Sequence, residues 1–156
     1  MRDGLLVSVR DQTVSLIRNG EVLRLYPCST ASAGTGCKEN SCQTPTGLHQ
    51  VVELIGAGLP SGAVFVERVW TGDVWSKGAA SGRDLILTRV MRLMGMEEGV
   101  NRGTGVDSFS RCIYIHGTDR EDLLGTPASH GCIRMGNADI IELFEMLREG
   151  DQVLVD

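Results

Sequence analysis

The chain has 156 residues, 42% of them apolar, and a formal net charge of −5. That length is most simply one domain, residues 1–156, long enough for a real core, and the ordinary apolar content excludes disorder. The acidic balance and the lack of a basic tract argue against nucleic acid, whose binders carry a basic patch.

The 20 glycines follow no collagen period, so they point to many turns and hence many strands. Residues 5–9 read as a strand, too short an apolar run for a signal peptide or a membrane span. Five cysteines, an odd number, fit a reduced, cytosolic chain; a leader removed ahead of Met1 would move that expectation to the periplasm. Residues 13–17 form a second strand, and Asn19-Gly20 supplies the dipeptide that takes positive φ in a two-residue hairpin turn. Residues 21–26 return as the next strand, 29–41 read as loop, Thr44-Pro45-Thr46-Gly47 as a turn, and 48–55 and 64–69 as strands. Residues 72–82 read as loop, with Trp70 and Trp75 at or near its rim. Either tryptophan could stack on a sugar or pack as a lid.

Residues 85–93 fit strand better than helix, because Ile86, Leu87, Thr88 and Val90 cluster without a capping box before them. Residues 101–110 are loop, and 111–116 strand, with Cys112, Tyr114 and His116 on one face. The clearest helix is 138–147: Asn137 as N-cap, Asp139 in the first turn, a stripe of Ile140, Ile141, Phe144 and Leu147, and Gly150 as terminator. Residues 152–155 make the last strand.

The chemistry lies in Tyr114-Ile115-His116-Gly117 and Ser129-His130-Gly131-Cys132-Ile133-Arg134. A free thiol titrates near 8.5, so a cysteine nucleophile needs a neighbouring imidazole and a third group to hold it. Two of the chain's three histidines fall here. Cys28, Cys37, Cys42 and His49 also look like a zinc set on paper, but they lack the close cysteine pair of structural sites, so free thiols are the default.

His116-Gly117-Thr118 followed by Ser129-His130-Gly131-Cys132-Ile133-Arg134-Met135 resembles the signature of the L,D-transpeptidase catalytic domain, and Thr44-Pro45-Thr46-Gly47 resembles that family's Thr-Pro-x-Gly turn. The resemblance implies a mainly β fold, a sandwich or irregular barrel with one or two helices, and no metal or organic cofactor. It implies a peptidoglycan stem peptide or muropeptide as partner, attacked at the third-residue (meso-diaminopimelate) carbonyl with release of D-alanine. Cys132 is then the nucleophile and His116 the base, with the Gly117 carbonyl orienting the imidazole. Gly131 and Cys132 offer N–H groups to the oxyanion, and His130 and Ser129 support them. Arg134 either holds a substrate carboxylate or ties the loop through backbone oxygens, and Tyr114 packs or lines the pocket. Arg111, Arg102 and Arg89 are further candidate carboxylate partners. If the chain is cytosolic, water is the expected acceptor, making it an L,D-carboxypeptidase of murein recycling. The alternatives are a cross-linking transpeptidase and an inactive muropeptide-binding module. Neither a membrane nor nucleic acid is expected as a partner, and the oligomeric state is open.

Overall fold

The computed structural model describes residues 1–79 and 82–156. Its strands are β1 (Gly4–Ser8), β2 (Thr13–Arg18), β3 (Glu21–Ser29), β4 (Gly47–Ile55), β5 (Ala63–Val66), β6 (Val69–Val74), β7 (Ile86–Gly95), β8 (Tyr114–Gly117), β9 (Ile133–Met135) and β10 (Gln152–Val155). They follow the order β4-β10-β1-β2-β3-β9-β8-β7-β5-β6, and β4 also pairs with β7. Eight strands therefore close into a barrel, which removes free edges, while the β5–β6 hairpin hangs from β7. One helix, α1 (Asn137–Glu145), and one 3₁₀ turn, Glu121–Leu123, complete the described structure. The mainly β irregular barrel is the fold the sequence led us to expect.

Leu5, Leu16, Met91, Leu93, Ile115 and Ile133 are wholly buried in the barrel. Ile140 and Leu143 of α1 join the same core, so the helix is pinned beside β7 and β8. Each such side chain contributes about 1.5–3 kcal/mol by leaving water. The Asn19-Gly20 turn forms as expected, with φ of +53 and +78.

Several local readings need correction. Residues 64–69 are not one strand but the start of a hairpin, β5 and β6, whose turn is Glu67-Arg68 at φ +49 and +66. No glycine or asparagine marks that turn. Every residue of β6 is exposed, so no alternation marks the strand that runs into the expected loop. The strand expected at 111–116 begins only at Tyr114; Cys112 lies in a preceding turn at φ +58 and is not on the strand's face. The Asp107 carboxylate caps that turn, accepting from the N–H and hydroxyl of Ser110. Asn137 is the first helical residue, not the cap: Gly136 occupies the cap without a side-chain bond, and Asn137 turns inward instead. The helix also stops before Leu147, which is buried beyond its end. Finally, β9 was not expected at all, since three residues are too few to show a period.

Candidate active site

Strands β8 and β9 run parallel, with Ile115 opposite Ile133 and His116 opposite Arg134. The isoleucines point into the core. Alternation therefore puts Tyr114, His116, Arg134 and the residue just before β9, Cys132, on the other face. The Tyr114 N–H donates to Cys132 Sγ at 3.3 Å, and the thiol donates to the Cys112 carbonyl at 3.4 Å. His116 is 2% exposed, and its Nδ1 lies 2.7 Å from the Gly117 carbonyl. A carbonyl only accepts, so the proton sits on Nδ1 and the Nε2 lone pair is left unspent. Nε2 takes no hydrogen bond among the described residues.

Burial lowers the His116 pKa, against the opposing pull of the Gly117 carbonyl and the Asp84 carboxylate. Burial also pushes the Cys132 thiol up to about 11, against the Tyr114 N–H. The resting pair is thus a neutral thiol and a neutral imidazole.

The loop carrying Cys132 is held by two hydroxyls. Ser129 Oγ donates to the Cys132 carbonyl at 2.6 Å and accepts from the Gly131 N–H at 3.2 Å. Thr44 Oγ1 donates to the Gly131 carbonyl at 3.0 Å and accepts from the Ala31 N–H at 2.9 Å. Thus the Thr-Pro-Thr-Gly turn, noticed in sequence without a role, latches the thiol loop. The Gly131 N–H was expected to face an oxyanion, but Ser129 already occupies it. The Tyr114 N–H, which sequence reasoning missed, points at the sulfur instead. Gly117 is required sterically, since a Cβ there would lie 2.5 Å from Asn137 Oδ1 and 2.7 Å from the Leu87 carbonyl. Asn137 in turn donates to the Thr118 carbonyl at 2.8 Å, fixing the chain just after His116.

Arg134 lines the cleft and is held there by a carboxylate, with no bond to a backbone oxygen among the described residues. Its Nη2 binds Asp84 Oδ1 at 2.8 Å, and Asp84 Oδ2 lies 2.9 Å from His130 Nδ1. Burial works to raise the Asp84 carboxyl, but the bonds to His130 and Arg134 prevail and hold it below its ordinary value. One acidic residue that the sequence reading passed over therefore organises two that it singled out. The other proposed cations are committed elsewhere: Arg89 to the Leu59 and Thr88 carbonyls, Arg102 to Glu98, and Arg111 to the Gly36 and Gln43 carbonyls.

An open cleft of about 560 Å³ lies on one side of His130, lined by Trp75, Asp84, Arg120 and Arg134. A second, of about 290 Å³, is lined by His130, Cys42, Ser110 and Arg111. Trp75 thus reaches the cleft, whereas Trp70 lies on the exposed hairpin. The paper zinc set does not gather: Cys28 is buried in the core, Cys42 is exposed, and both His49 nitrogens are engaged, by the Gly47 carbonyl and Ser108 Oγ. No three metal-binding side chains converge among the described residues.

The closed β-barrel thus presents a cysteine and a histidine bound to its neighbour's carbonyl on one face of two adjacent strands. The profile of the YkuD L,D-transpeptidase catalytic domain matches residues 2–155, and the chain belongs to that family. It is 25% identical over 154 residues to the Bacillus subtilis (strain 168) protein named Putative L,D-transpeptidase YkuD, covering 97% of this chain and 65% of that one. It is 46% identical over 45 residues to Putative L,D-transpeptidase YqjB of the same organism, 29% of this chain and 26% of that one. The chain therefore spans less than two thirds of either relative. Among solved structures, it shares its fold with an L,D-transpeptidase from Xylanimonas cellulosilytica DSM 15894 at TM-score 0.60 and 20% identity, covering 100% of this chain and 62% of that one. L,D-transpeptidase 3 from Mycobacterium tuberculosis, in complex with a faropenem-derived adduct, matches at TM-score 0.58 and 18% identity, covering 97% and 59%.

Proposed function

We propose that this chain transfers acyl groups on peptidoglycan stem peptides through Cys132. The observation that carries this reading is His116 Nε2, unspent on the same face as the Cys132 thiol. In the first half-reaction the thiol proton passes to Nε2 and sulfur attacks the third-residue carbonyl. The Tyr114 and Cys132 N–H groups receive the oxyanion. The C–N bond then breaks, His116 returns the proton to the departing D-alanine amine, and a thioester remains. The Gly117 carbonyl holds the imidazole and stabilises its transient charge, which Asp84 also favours. Ser129 and Thr44 keep the loop in place, and Asp84 positions His130 and Arg134 at the cleft.

The two clefts flanking His130 favour an amine acceptor: one can take the donor stem and the other a second stem, giving a cross-link. Both clefts are open to solvent, which supports the second reading, hydrolysis to the tripeptide when no acceptor is present. Mass spectrometry of purified tetrapeptide, with and without an added stem amine, tests both. Cross-linked dimer outpacing tripeptide supports transfer, and tripeptide alone supports the carboxypeptidase. No release of D-alanine in either tube overturns the stem-peptide reading. A carbapenem should leave a single covalent adduct on Cys132.

A further inference from the structure

One cation near the site that the sequence reading did not name is Arg68. It occupies the second central position of the β5–β6 turn, with φ +49 at Glu67 and +66 at Arg68. Two-residue turns with both φ positive are ordinarily built from Asn-Gly, because side chains crowd the backbone there. Neither residue here relieves that crowding, so the turn holds a conformation its own side chains disfavour. Such outliers persist where surrounding contacts impose them, and they gather at functional sites.

Those contacts lead to the thiol. Ala63 and Phe65 of β5 pack with Val90 and Tyr114 in a small apolar cluster that also takes in Cys112 and Cys132. At the hairpin tip, Arg68 Nη1 donates to the Tyr114 hydroxyl at 2.9 Å. The backbone N–H of the same tyrosine donates to Cys132 Sγ. Arg68 has no carboxylate within ion-pair distance among the described residues. Glu53, the acidic group that acts on it through space, is bound to Arg92. The guanidinium has spent one of its five donors and is anchored by a neutral hydroxyl, which leaves its fork open for a planar anion.

We propose that Arg68 is a specificity residue that binds a free carboxylate of the acyl-donor stem peptide through paired hydrogen bonds, seating the scissile carbonyl at Cys132. This rests on the stem-peptide reading above. The strained turn carries the fork, and the Tyr114 hydroxyl holds it against the residue whose N–H meets the Cys132 sulfur before substrate arrives.

The test is steady-state kinetics on tetrapeptide donors with each carboxylate amidated in turn. The proteins are wild type, Arg68→Ala, Arg68→Lys and the double variant Glu67→Asn with Arg68→Gly. Wild type should prefer the free acid at one position by about tenfold or more in kcat/KM, the scale of a charge-assisted bidentate pair. Arg68→Ala should raise KM about tenfold for that donor, leave kcat within about twofold, and erase the preference; Arg68→Lys should keep part of it. The double variant, given a turn its residues favour, should melt higher and still lose the preference. Alkylation of Cys132 by iodoacetamide at alkaline pH should proceed in all four proteins, showing that the site is intact. An unchanged acid-to-amide ratio in the variants overturns the proposal. So does an equal loss on acid and amide confined to kcat, which assigns Arg68 to holding the β5–β6 hairpin. A wild-type enzyme that turns over no donor overturns the stem-peptide reading and this inference with it.

Discussion

Two histidines in this molecule are built almost alike. His49 on β4 and His116 on β8 are both buried, and each places Nδ1 against a backbone carbonyl, Gly47 for one and Gly117 for the other. Burial lowers the pKa of both. They differ at the second nitrogen. His49 Nε2 is closed off by Ser108 Oγ at 2.8 Å, whereas His116 Nε2 is unspent on the face that carries Cys132. A buried imidazole with both nitrogens satisfied is a strut. The same imidazole with one nitrogen open, on the face that carries a thiol, is what the proposed function uses as its base.

The largest effect should separate the two directly. His116→Ala should lower turnover of a stem tetrapeptide by about 10²–10⁴-fold, the ordinary contribution of a general base. His49→Ala should leave the rate per folded molecule within about twofold. Equal losses in the two variants, measured at a temperature where both are folded, would contradict the division.

The neutral resting pair predicts a second large effect. With the Cys132 thiol pushed up to about 11, its alkylation by iodoacetamide should keep rising from pH 7 to pH 10. A rate that levels off near neutrality would mean a preformed thiolate–imidazolium pair, and the thiol would not rest on the Cys112 carbonyl.

Stability should show the reverse ranking. His49→Ala strands Ser108 and the Gly47 carbonyl in the interior and opens a cavity, a loss of about 2–4 kcal/mol by urea unfolding. Both histidines also tie stability to pH. Their folded pKa lies below the unfolded value of about 6.5, so the unfolded chain binds protons first as pH falls. The stability they contribute is full above about 6.5 and is lost below it, toward their lowered folded values. This window lies above that of Asp84 and Asp107, whose lowered carboxyls begin to lose their contribution only below about 4. Removing either histidine should flatten the upper window alone; an unchanged slope there would show that the imidazoles are already charged in the folded protein.

His116 and Cys132 were legible because the chemistry needs a fixed run of residue types along a short stretch of chain. His49 was legible only as a paper metal ligand, since nothing local reveals that Ser108, 59 positions away, fills its second nitrogen. Asp84 was hidden for the same reason, lying 46 positions before the His130 it holds. The Tyr114 N–H belongs to the backbone and leaves no mark in residue identity. Arg68 was hidden because its hairpin turn contains none of the residues that ordinarily announce one. The barrel itself could be read from alternation and turn dipeptides, while its closure through the β4–β7 pairing could not, because nothing in either strand's sequence names its second partner.

The smallest effect sharpens the comparison most. Ser108→Ala opens the second nitrogen of His49 without moving the ring, so that His49 acquires the free lone pair that distinguishes His116. Leaving one buried acceptor unpaired should cost about 1–3 kcal/mol, at the low end if water enters. If an open nitrogen alone made a base, this variant would gain a new pH-dependent reactivity. It should gain none, because neither nearby thiol is placed to react: Cys37, in the neighbouring loop, directs its sulfur to the Thr46 carbonyl at 3.8 Å, and Cys28 is wholly buried in the core, where its thiol is pushed up to about 12. Carbapenem adducts mapped by mass spectrometry should therefore stay on Cys132 alone. An adduct on Cys37 in Ser108→Ala would mean that the barrel holds a second latent pair, and that position on β8 is not what makes His116 catalytic.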